Sequence, residues 1–365
     1  MSGEKRIGIL TSGGDCAGLN AIIRAVVYRA HELGWQVIGI KEGTHGLLAR
    51  PVQYEVLTPN SFTGTIMRQG GTILGTTNKG DPFSFPMADG TLKDRSAEIV
   101  HGVREIGLDA VVGIGGDGSF AILRRLAQMG GINLVGIPKT IDNDIGLTEI
   151  SVGFDTAVAV ATEALDRLQP TAASHARVMV LEVMGRDAGH IALSAGIAGG
   201  ADIILIPEIP YSIEGLAKKV ERVRQGGRNF ALVIVSEAVK AVDGTALQTE
   251  FADGQVRHGG IGHYLGDQIA RATGAETRVT VLGHVQRGSM PEWRDRLIAS
   301  AFGVHAVDLV AAGKFDRMVA WSERRVIDVS IEDAIKHYAA VDQNDTLVHA
   351  AEGLGIYIGE RDTAA

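Results

Sequence analysis

Short apolar runs that end in glycine-rich or proline-containing turns recur along this chain, and they limit the folds it can adopt. Residues 134–137 stop at Pro138, which indicates a buried strand that leads into a loop at the edge of a sheet. Residues 109–114 stop at a pair of glycines, and a helical pattern follows from about residue 120 to 128. Because strands and helices alternate along the chain, we expect an α/β protein with mainly parallel sheets.

The same alternation predicts the other elements. Further strands are expected at residues 6–11, 37–40, 178–182, 203–206, 232–235 and 278–282, and further helices at residues 18–33, 155–168, 185–198, 213–224 and 261–272. A chain of 365 residues is long enough for about two domains. No proline- or serine-rich linker in the sequence marks a boundary between them.

Residues 138–144, PKTIDND, place two carboxylates, a hydroxyl and a cation directly after a predicted strand. In an open α/β sheet, ligands bind in the crevice beyond the carboxyl ends of the strands. A carboxylate in this loop can act as general base for a hydroxyl nucleophile, and its neighbour can position a metal or hold the loop. The alternative is a polar turn whose Asp and Asn side chains cap the next helix.

A second loop, GGDGS at residues 115–119, has the features of a phosphate site. Its glycines let backbone amides approach a phosphate closely, and the N-terminus of the following helix adds partial positive charge. Asp117 is a candidate to hold Mg²⁺ against phosphate oxygens, although it can also be a simple helix cap. Similar glycine runs occur at residues 12–15 and 70–79, and the second of these ends in Lys79. Together these loops favour a phosphate site over a set of unrelated turns.

Six motifs, in this order, resemble those of the 6-phosphofructokinase family. They are LTSGGDCAGLNAIIR, GGTILGTTNKG, GGDGS, PKTIDND, SHARVMVLEVMGRDAGH and ETRVTVLGHVQRG, and they extend from near residue 6 to about residue 300. The resemblance implies the glycolytic transfer of the donor's terminal phosphoryl group to the 1-hydroxyl of fructose 6-phosphate, with Mg²⁺. It also implies a fold of two domains, each with a mainly parallel sheet flanked by helices.

The resemblance assigns a role to each matching residue. Asp142 corresponds to the general base, and Thr140 and Ile141 lie beside it among the substrate-binding positions. The donor positions are Gly14, Asn78, Lys79, Gly116, Asp117, Gly118 and Ser119, with Asp117 as the magnesium ligand. The sugar-phosphate positions are Arg177, Met184, Gly185, Arg186, Glu237, Arg278, His284 and Arg287.

Two of these arginines, Arg177 and Arg278, match positions that reach a neighbouring subunit's site and hold the 6-phosphate. The planar guanidinium suits that task because it binds phosphate oxygens in pairs. We therefore expect a homotetramer, or a homodimer, with shared active sites. The alternative for any single arginine is a solvated surface charge, and His284 can be a core histidine with satisfied hydrogen bonds.

The resemblance also divides the chain. It places the phosphoryl-donor domain at residues 1–150 and about 286–335, and the fructose 6-phosphate domain at residues 151–285 and about 336–365. Both domains are then discontinuous, and two lobes facing across a cleft are expected.

The identity of the donor depends on Gly118 and Lys139, which give opposite indications. Relatives that use pyrophosphate carry an acidic residue at the position of Gly118 and usually a lysine at that of Lys139. A carboxylate at position 118 would lie where the α-phosphate of ATP must go, whereas a lysine is compatible with either donor. Gly118 therefore discriminates better, and we expect ATP.

Four other interpretations remain open. The first alternative is a pyrophosphate-dependent enzyme of the same family. A lipid or NAD kinase would share the GGDG loop but would lack the TIDND, MGR and GHVQRG motifs. A non-catalytic sugar-phosphate sensor would not need Asp142 and Asp117. A dehydrogenase is disfavoured because the first glycine turn lacks GxGxxG.

Composition restricts the partners and the compartment. The net charge of −8 and the absence of a Lys/Arg-rich run argue against nucleic acid. The single cysteine, Cys16, permits no intrachain disulfide and favours a reducing cytoplasm, and we expect it to be a small residue that fits its loop. No stretch reaches the roughly 18 apolar residues of a membrane span, and the first apolar run is too short for a signal peptide. We expect a cytoplasmic protein with no membrane partner.

Substituting Gly118→Asp tests the choice of donor. Two unit charges ~4 Å apart repel by about 4 kcal/mol at an effective dielectric near 20, which corresponds to roughly a thousandfold in binding. We expect the variant to lose ATP-dependent activity by that order. Steady-state rates with ATP and with pyrophosphate at matched Mg²⁺ provide the measurement, and full ATP activity in the variant would contradict the assignment.

Overall fold

The computed structural model of the chain describes residues 5–62, 64–250 and 256–360. It divides into two units, each built from two segments of the chain. Unit 1 comprises Met1–Thr156 and Arg287–Ala339, and unit 2 comprises Ala157–Gln286 and Ala340–Ala365. The assignment of donor and sugar binding to separate domains stays a prediction.

The strands follow the apolar runs. In chain order they are β1 (Arg6–Thr11), β2 (Gln36–Ile40), β3 (Tyr54–Leu57), β4 (Phe85–Pro86), β5 (Leu92–Lys93), β6 (Ala110–Gly115), β7 (Leu134–Pro138), β8 (Val178–Val183), β9 (Ile203–Leu205), β10 (Ala231–Ser236), β11 (Gln248–Glu250), β12 (Val256–His258), β13 (Thr277–Val281), β14 (Arg317–Ser322) and β15 (Arg325–Ser330).

The helices occupy most of the segments between the strands. They are α1 (Leu19–Glu32), α2 (Thr44–Leu48), α3 (Ser96–Glu105), α4 (Asp117–Gly130), α5 (Phe154–His175), α6 (His190–Ala198), α7 (Ile213–Gln225), α8 (Ile261–Thr273), α9 (Trp293–Ala311), α10 (Ile331–Lys336) and α11 (Thr346–Gly353). Short 3₁₀ helices cover Pro59–Ser61, Ile66–Arg68, Pro82–Ser84 and Gly283–Arg287. Among the described residues, no helix has both the length and the apolar character needed to cross a membrane.

Unit 1 contains a seven-stranded sheet in the order β15-β14-β7-β6-β1-β2-β3. Its inner strands are parallel, whereas β15 and β3 pair antiparallel with their neighbours at the two edges. Every residue of β6 is buried, as expected of a parallel strand covered on both faces. In β15, exposed and half-buried residues alternate at the start, which is typical of an edge strand.

Unit 2 contains a four-stranded parallel sheet in the order β13-β8-β10-β9. Its inner strands β8 and β10 are fully buried, and their apolar side chains form a core with helices α7 and α8. Two mainly parallel sheets flanked by helices confirm the predicted α/β class.

The predicted elements are confirmed with two clear errors, at the end of α5 and at the start of α6. Helix α5 continues through Pro170 to His175, seven residues beyond the predicted end at residue 168. The sequence predicts a helix from residue 185, but α6 begins at His190. Two backbone N–H groups of the intervening segment, those of Gly185 and Arg186, instead donate to the carboxylate of Glu237. Arg186 has a φ of +53°, which is incompatible with a right-handed helix. A residue distant in sequence thus overrides the local helical pattern.

The side chain of Phe120 in helix α4 packs against the backbone of strand β7 at a glycine. A Cβ added at Gly136 would lie 2.8 Å from the ring of Phe120, which is fully buried in the first turn of α4. The absence of a side chain at this position therefore brings the N-terminus of α4 next to the loops that leave the sheet. This approach fixes the position of the glycine-rich loop before α4.

We predict that Gly136→Ala destabilises the protein by about 1–3 kcal/mol, as expected for a methyl group forced into a packed core. Gly353→Ala is the matched control, since a Cβ at that helical position would meet nothing within 4 Å. Unfolding in urea measures both variants, and equal stability of the two would show that Phe120 moves away freely.

Candidate active site

Three loops that carry predicted donor residues follow the carboxyl ends of neighbouring strands in the sheet of unit 1. Strands β1, β6 and β7 are adjacent and parallel, and their carboxyl ends are level, with Thr11 opposite Ile114 and Gly115 opposite Pro138. The chain proceeds from β1 to β2 on one side and from β6 to β7 on the other. Ligands bind in α/β sheets where the strand order reverses in this way.

The first loop, residues 12–15, is hydrogen-bonded to the glycine run at residues 70–79. The N–H of Gly13 donates to the carbonyl of Thr77 (2.9 Å), and the hydroxyl of Thr76 donates to the carbonyl of Gly13 (2.7 Å). These bonds bring the exposed residues Asn78 and Lys79 to the first loop. The structure therefore groups the donor residues predicted from the two glycine runs.

The second loop ends in the N-terminus of α4. Gly116 is in an extended conformation and precedes Asp117, the first residue of the helix. The unsatisfied N–H groups of the first turn and the helix dipole favour an anion here. A Cβ at Gly118 would meet nothing within 4 Å. A side chain at position 118 would therefore affect a ligand and leave the fold intact.

The third loop holds Asp142 in a defined position. Its side chain is only 7% exposed. The N–H of Asp142 donates to the hydroxyl of Thr140 (3.0 Å), which in turn donates to the Asp142 carboxylate (3.3 Å). The next residue, Asn143, accepts from the N–H of Ser151 (2.9 Å) and anchors the loop beyond Asp142. The side chain of Ile141 is fully buried, so only its backbone can contact a ligand.

Lys139 is buried and faces the first loop. Its Nζ donates to the carbonyl of Gly14. Burial is the main cause that lowers the pKa of Lys139, and the nearby guanidinium of Arg287 acts in the same direction. Burial also raises the pKa of Cys16 to about 12, and its thiol donates to the carbonyl of Val152 (3.4 Å). Cys16 is thus held as a thiol, in agreement with a small residue that fits its loop.

Arg287 lies with the phosphate loops of unit 1. Its Nη1 donates to the carbonyl of Asp15 (2.9 Å), and a Cβ added at Gly14 would lie 3.1 Å from the same nitrogen. The sequence places Arg287 among the sugar contacts, and that role stays a prediction. The contact with Asp15 was missed because no sequence pattern links residues 272 positions apart.

Asp117, the predicted magnesium ligand, is the first residue of α4. Within the described parts of the chain, no group of three or more His, Cys, Asp or Glu side chains could hold a metal. Mg²⁺ commonly takes one or two carboxylates and completes its coordination with water and substrate phosphate. Asp117, at the start of α4, supplies a carboxylate of this kind.

In unit 2, the predicted sugar residues Met184, Gly185, Arg186 and Glu237 lie at the carboxyl ends of β8 and β10. One oxygen of Glu237, Oε1, accepts from the N–H of Gly185 (3.3 Å) and of Arg186 (3.1 Å). Burial raises the pKa of Glu237 above its ordinary value, although these two backbone bonds oppose the shift. We call residues 184–187 the sugar loop.

A buried glutamine supports the sugar loop from the other side. The N–H of Met184 donates to Oε1 of Gln286 (2.7 Å), and Gln286 is 1% exposed. The neighbouring His284 is exposed on the same 3₁₀ helix, so it is not a core histidine. Gln286 was missed as a supporting residue, although its place between His284 and Arg287 was a usable signal.

Arg177 and Arg278 lie at the opposite end of the same sheet. Arg177 directly precedes β8, and Arg278 is the second residue of β13, which pairs with β8 in parallel register. Both guanidinium groups contact Oε1 of Glu276, that of Arg177 at 2.9 Å. The seven steps from Arg177 to Met184 span roughly 20 Å of strand at about 3.3 Å each. One copy of unit 2 therefore does not bring these arginines to its own sugar loop.

The chain resembles known phosphofructokinases over nearly its whole length. A family model described as phosphofructokinase matches residues 6–310. "ATP-dependent 6-phosphofructokinase 1" of Nostoc sp. (strain PCC 7120) is 63% identical over 360 residues, which are 99% of this chain and 100% of the relative. The protein of the same name from Synechocystis sp. (strain PCC 6803) is also 63% identical, over 98% of this chain and 99% of the relative.

Solved structures of phosphofructokinases share the fold. The Pichia pastoris enzyme in the T-state has a TM-score of 0.79 and 30% identity, and it matches 98% of this chain. The chain spans 37% of that longer yeast chain. A pyrophosphate-dependent phosphofructokinase from Marinobacter aquaeolei has a TM-score of 0.76 at 22% identity, over 97% of this chain and 88% of the other.

The variant Glu237→Gln tests how the sugar loop is held. Because the fold raises the carboxyl pKa, the stability of the wild type falls as pH rises from the ordinary value of 4.5 through the raised value. A glutamine keeps the acceptor oxygen but cannot ionise. We expect the variant to lose this pH dependence and to be at least as stable as the wild type at pH 8.

Urea unfolding at pH 5 and pH 8 measures the effect, with Glu32→Gln as the control at an exposed carboxylate. A variant that is clearly less stable than the wild type at pH 8 would show that the negative charge itself holds the two N–H groups.

Proposed function

The chain belongs to the phosphofructokinase family, and on that premise we propose that it is an ATP-dependent 6-phosphofructokinase. It transfers the γ-phosphoryl group of ATP to the 1-hydroxyl of fructose 6-phosphate and gives fructose 1,6-bisphosphate and ADP. Full-length relatives that are 63% identical and named as ATP-dependent enzymes support this function. The observation that carries it is the buried Asp142 on the loop beside the N-terminus of α4.

The donor phosphates bind the glycine loops of unit 1. The first turn of α4, from Gly116 to Ser119, supplies backbone N–H groups, and Gly14 allows close approach at the neighbouring loop. Asn78 and Lys79 add a polar group and a cation next to that loop. Asp117 would hold Mg²⁺, which neutralises charge on the phosphoryl oxygens when it is bound.

Asp142 is the general base of the transfer. It takes the proton of the 1-hydroxyl as the hydroxyl oxygen forms a bond to the γ-phosphorus. The bond between that phosphorus and the bridging oxygen breaks, and ADP leaves with the electron pair. Thr140 fixes the carboxylate through the two hydrogen bonds on either side of its hydroxyl. Catalysis then rests mostly on positioning and on charge neutralisation.

The sugar phosphate is bound by the sugar loop and Glu237, with His284 and Arg287 as further contacts. Arg177 and Arg278 serve a neighbouring subunit, since they lie about 20 Å of strand away from the sugar loop of their own chain. The enzyme is therefore a homotetramer, or a homodimer, that completes its sugar sites in pairs. Sedimentation of a fully active monomer would contradict this assembly.

Pyrophosphate is the weaker candidate for the donor. The open space around Gly118 leaves room for the α-phosphate of ATP, and the similarity to pyrophosphate-dependent structures at 22% identity concerns the fold alone. A sugar-phosphate sensor without activity is disfavoured because the carboxylates of Asp142 and Asp117 are both present. A reducing cytoplasm is the expected compartment, in keeping with the one buried cysteine.

The variant Asp142→Asn tests the enzyme assignment. Removing a general base lowers kcat by about 10²- to 10⁴-fold, whereas an amide of the same size leaves sugar binding nearly unchanged. We expect this loss in a coupled assay of ADP formation, with fructose 6-phosphate affinity retained in calorimetry. Asp166→Asn, at an exposed carboxylate of α5, is the control. Wild-type protein that binds the sugar phosphate but transfers nothing from ATP would indicate the sensor.

A further inference from the structure

The sugar loop has a partner that the proposed mechanism does not use. Asp187, the residue after Arg186, lies with its Oδ1 3.3 Å from Nε2 of His258. The side chain of His258 is 24% exposed, whereas that of Asp187 is 60% exposed. A carboxylate accepts hydrogen bonds and does not donate them when ionised, so the imidazole Nε2–H is the donor.

His258 is held in place from outside the sugar loop. It is the last residue of β12 and pairs with Gln248 of β11. The following residues are tied to β8 by Glu182, which is 2% exposed. Its two oxygens accept from the N–H of Gly260 (3.2 Å) and of Gly262 (2.8 Å), at the start of α8. Glu182 lies on β8, which leads directly into the sugar loop. The segment after His258 and the sugar loop with Asp187 are therefore both attached to β8.

His258 also acts on the other support of the loop. Burial is the main cause that raises the pKa of Glu237, and His258 acts in the opposite direction. Arg186 itself has a φ of +53°, a conformation that costs energy for a residue with a side chain. A loop strained in this way needs contacts that hold it.

We propose that His258 is a positioning residue for the sugar loop. Its Nε2–H donates to Asp187 and fixes the backbone immediately after Arg186, so that the Arg186 guanidinium is presented to the sugar phosphate. The inference rests on the proposed function, since it assigns fructose 6-phosphate to the sugar loop. It adds a residue from the β11–β12 hairpin, which none of the predicted sugar contacts includes.

Four variants test the proposal. His258→Leu removes the donor, His258→Gln keeps an N–H donor, and Asp187→Ala removes the acceptor. His263→Leu, at an exposed histidine of α8, is the matched control. Steady-state kinetics give kcat and the KM values for fructose 6-phosphate and ATP, and urea unfolding reports the stability of each variant.

For His258→Leu we expect the KM for fructose 6-phosphate to rise about two- to fivefold, the size expected of a partly exposed ion pair. We expect kcat and the KM for ATP to stay unchanged. His258→Gln restores most of the affinity, and the double variant His258→Leu with Asp187→Ala is no worse than either single change, because both act on one contact. If His258→Leu does not fold, Asp187→Ala, at an exposed position, gives the same comparison alone.

The outcomes distinguish a failure of the proposed function from a failure of the positioning role of His258. Wild-type protein that fails to phosphorylate fructose 6-phosphate overturns the proposed function. An active wild type whose KM for fructose 6-phosphate is unchanged in both His258→Leu and Asp187→Ala overturns the positioning role alone. The positioning role is also overturned if the KM for ATP rises as much as the KM for fructose 6-phosphate. It is likewise overturned if the effects of the two single substitutions add in the double variant.

Discussion

Lys139 connects the three loops that leave the central strands of unit 1, and the donor residues depend on that connection. Its backbone N–H donates to Gly115 (2.9 Å), just before the second loop, and its Nζ donates to Gly14 in the first. A buried ammonium is costly unless it has such a partner. Lys139 thus has a partner within the protein, and its role in the choice of donor stays a prediction.

The sequence predicts the elements of this fold well where the signal is local. The apolar run before Pro138 and the glycine turn before α4 specify strands and loops by themselves, and the structure confirms both. The family is confirmed as well, since six motifs in one order are much more specific than any one of them. The error at Gly185 arises because Arg186 has a positive φ, in a loop that is bound to Glu237 by contacts that depend on the register of β8 and β10. The site is less predictable for the same reason: the placement of Arg287 against Asp15 follows from tertiary structure alone.

The sugar loop shows how long-range contacts replace secondary structure. A helix that began at Gly185 would carry Arg186 in a right-handed turn and would leave the N–H groups of its first turn without intrahelical partners. In the structure Arg186 has a positive φ, Glu237 accepts two N–H groups of the loop, and Gln286 accepts that of Met184. The buried carboxylate has a raised pKa, so the fold is less stable than it would be with a neutral group. A loop that is held in place before its ligand binds loses less conformational freedom on binding. The resulting gain in affinity compensates for the loss of stability.

Arg177 and Arg278 lie at the end of the unit 2 sheet that is opposite the sugar loop. Their guanidinium groups converge on a single oxygen of Glu276, and the Arg177 guanidinium is the main cause that lowers the pKa of this carboxyl. Two cations that converge on one anionic oxygen have the geometry that a phosphate group requires. Under the proposed function, the sugar phosphate of a second chain competes with Glu276 for them. Because a two-fold axis relates such contacts reciprocally, one interface would complete two sites at once. Self-association would then be a condition for sugar binding, since each chain carries both ends of the contact.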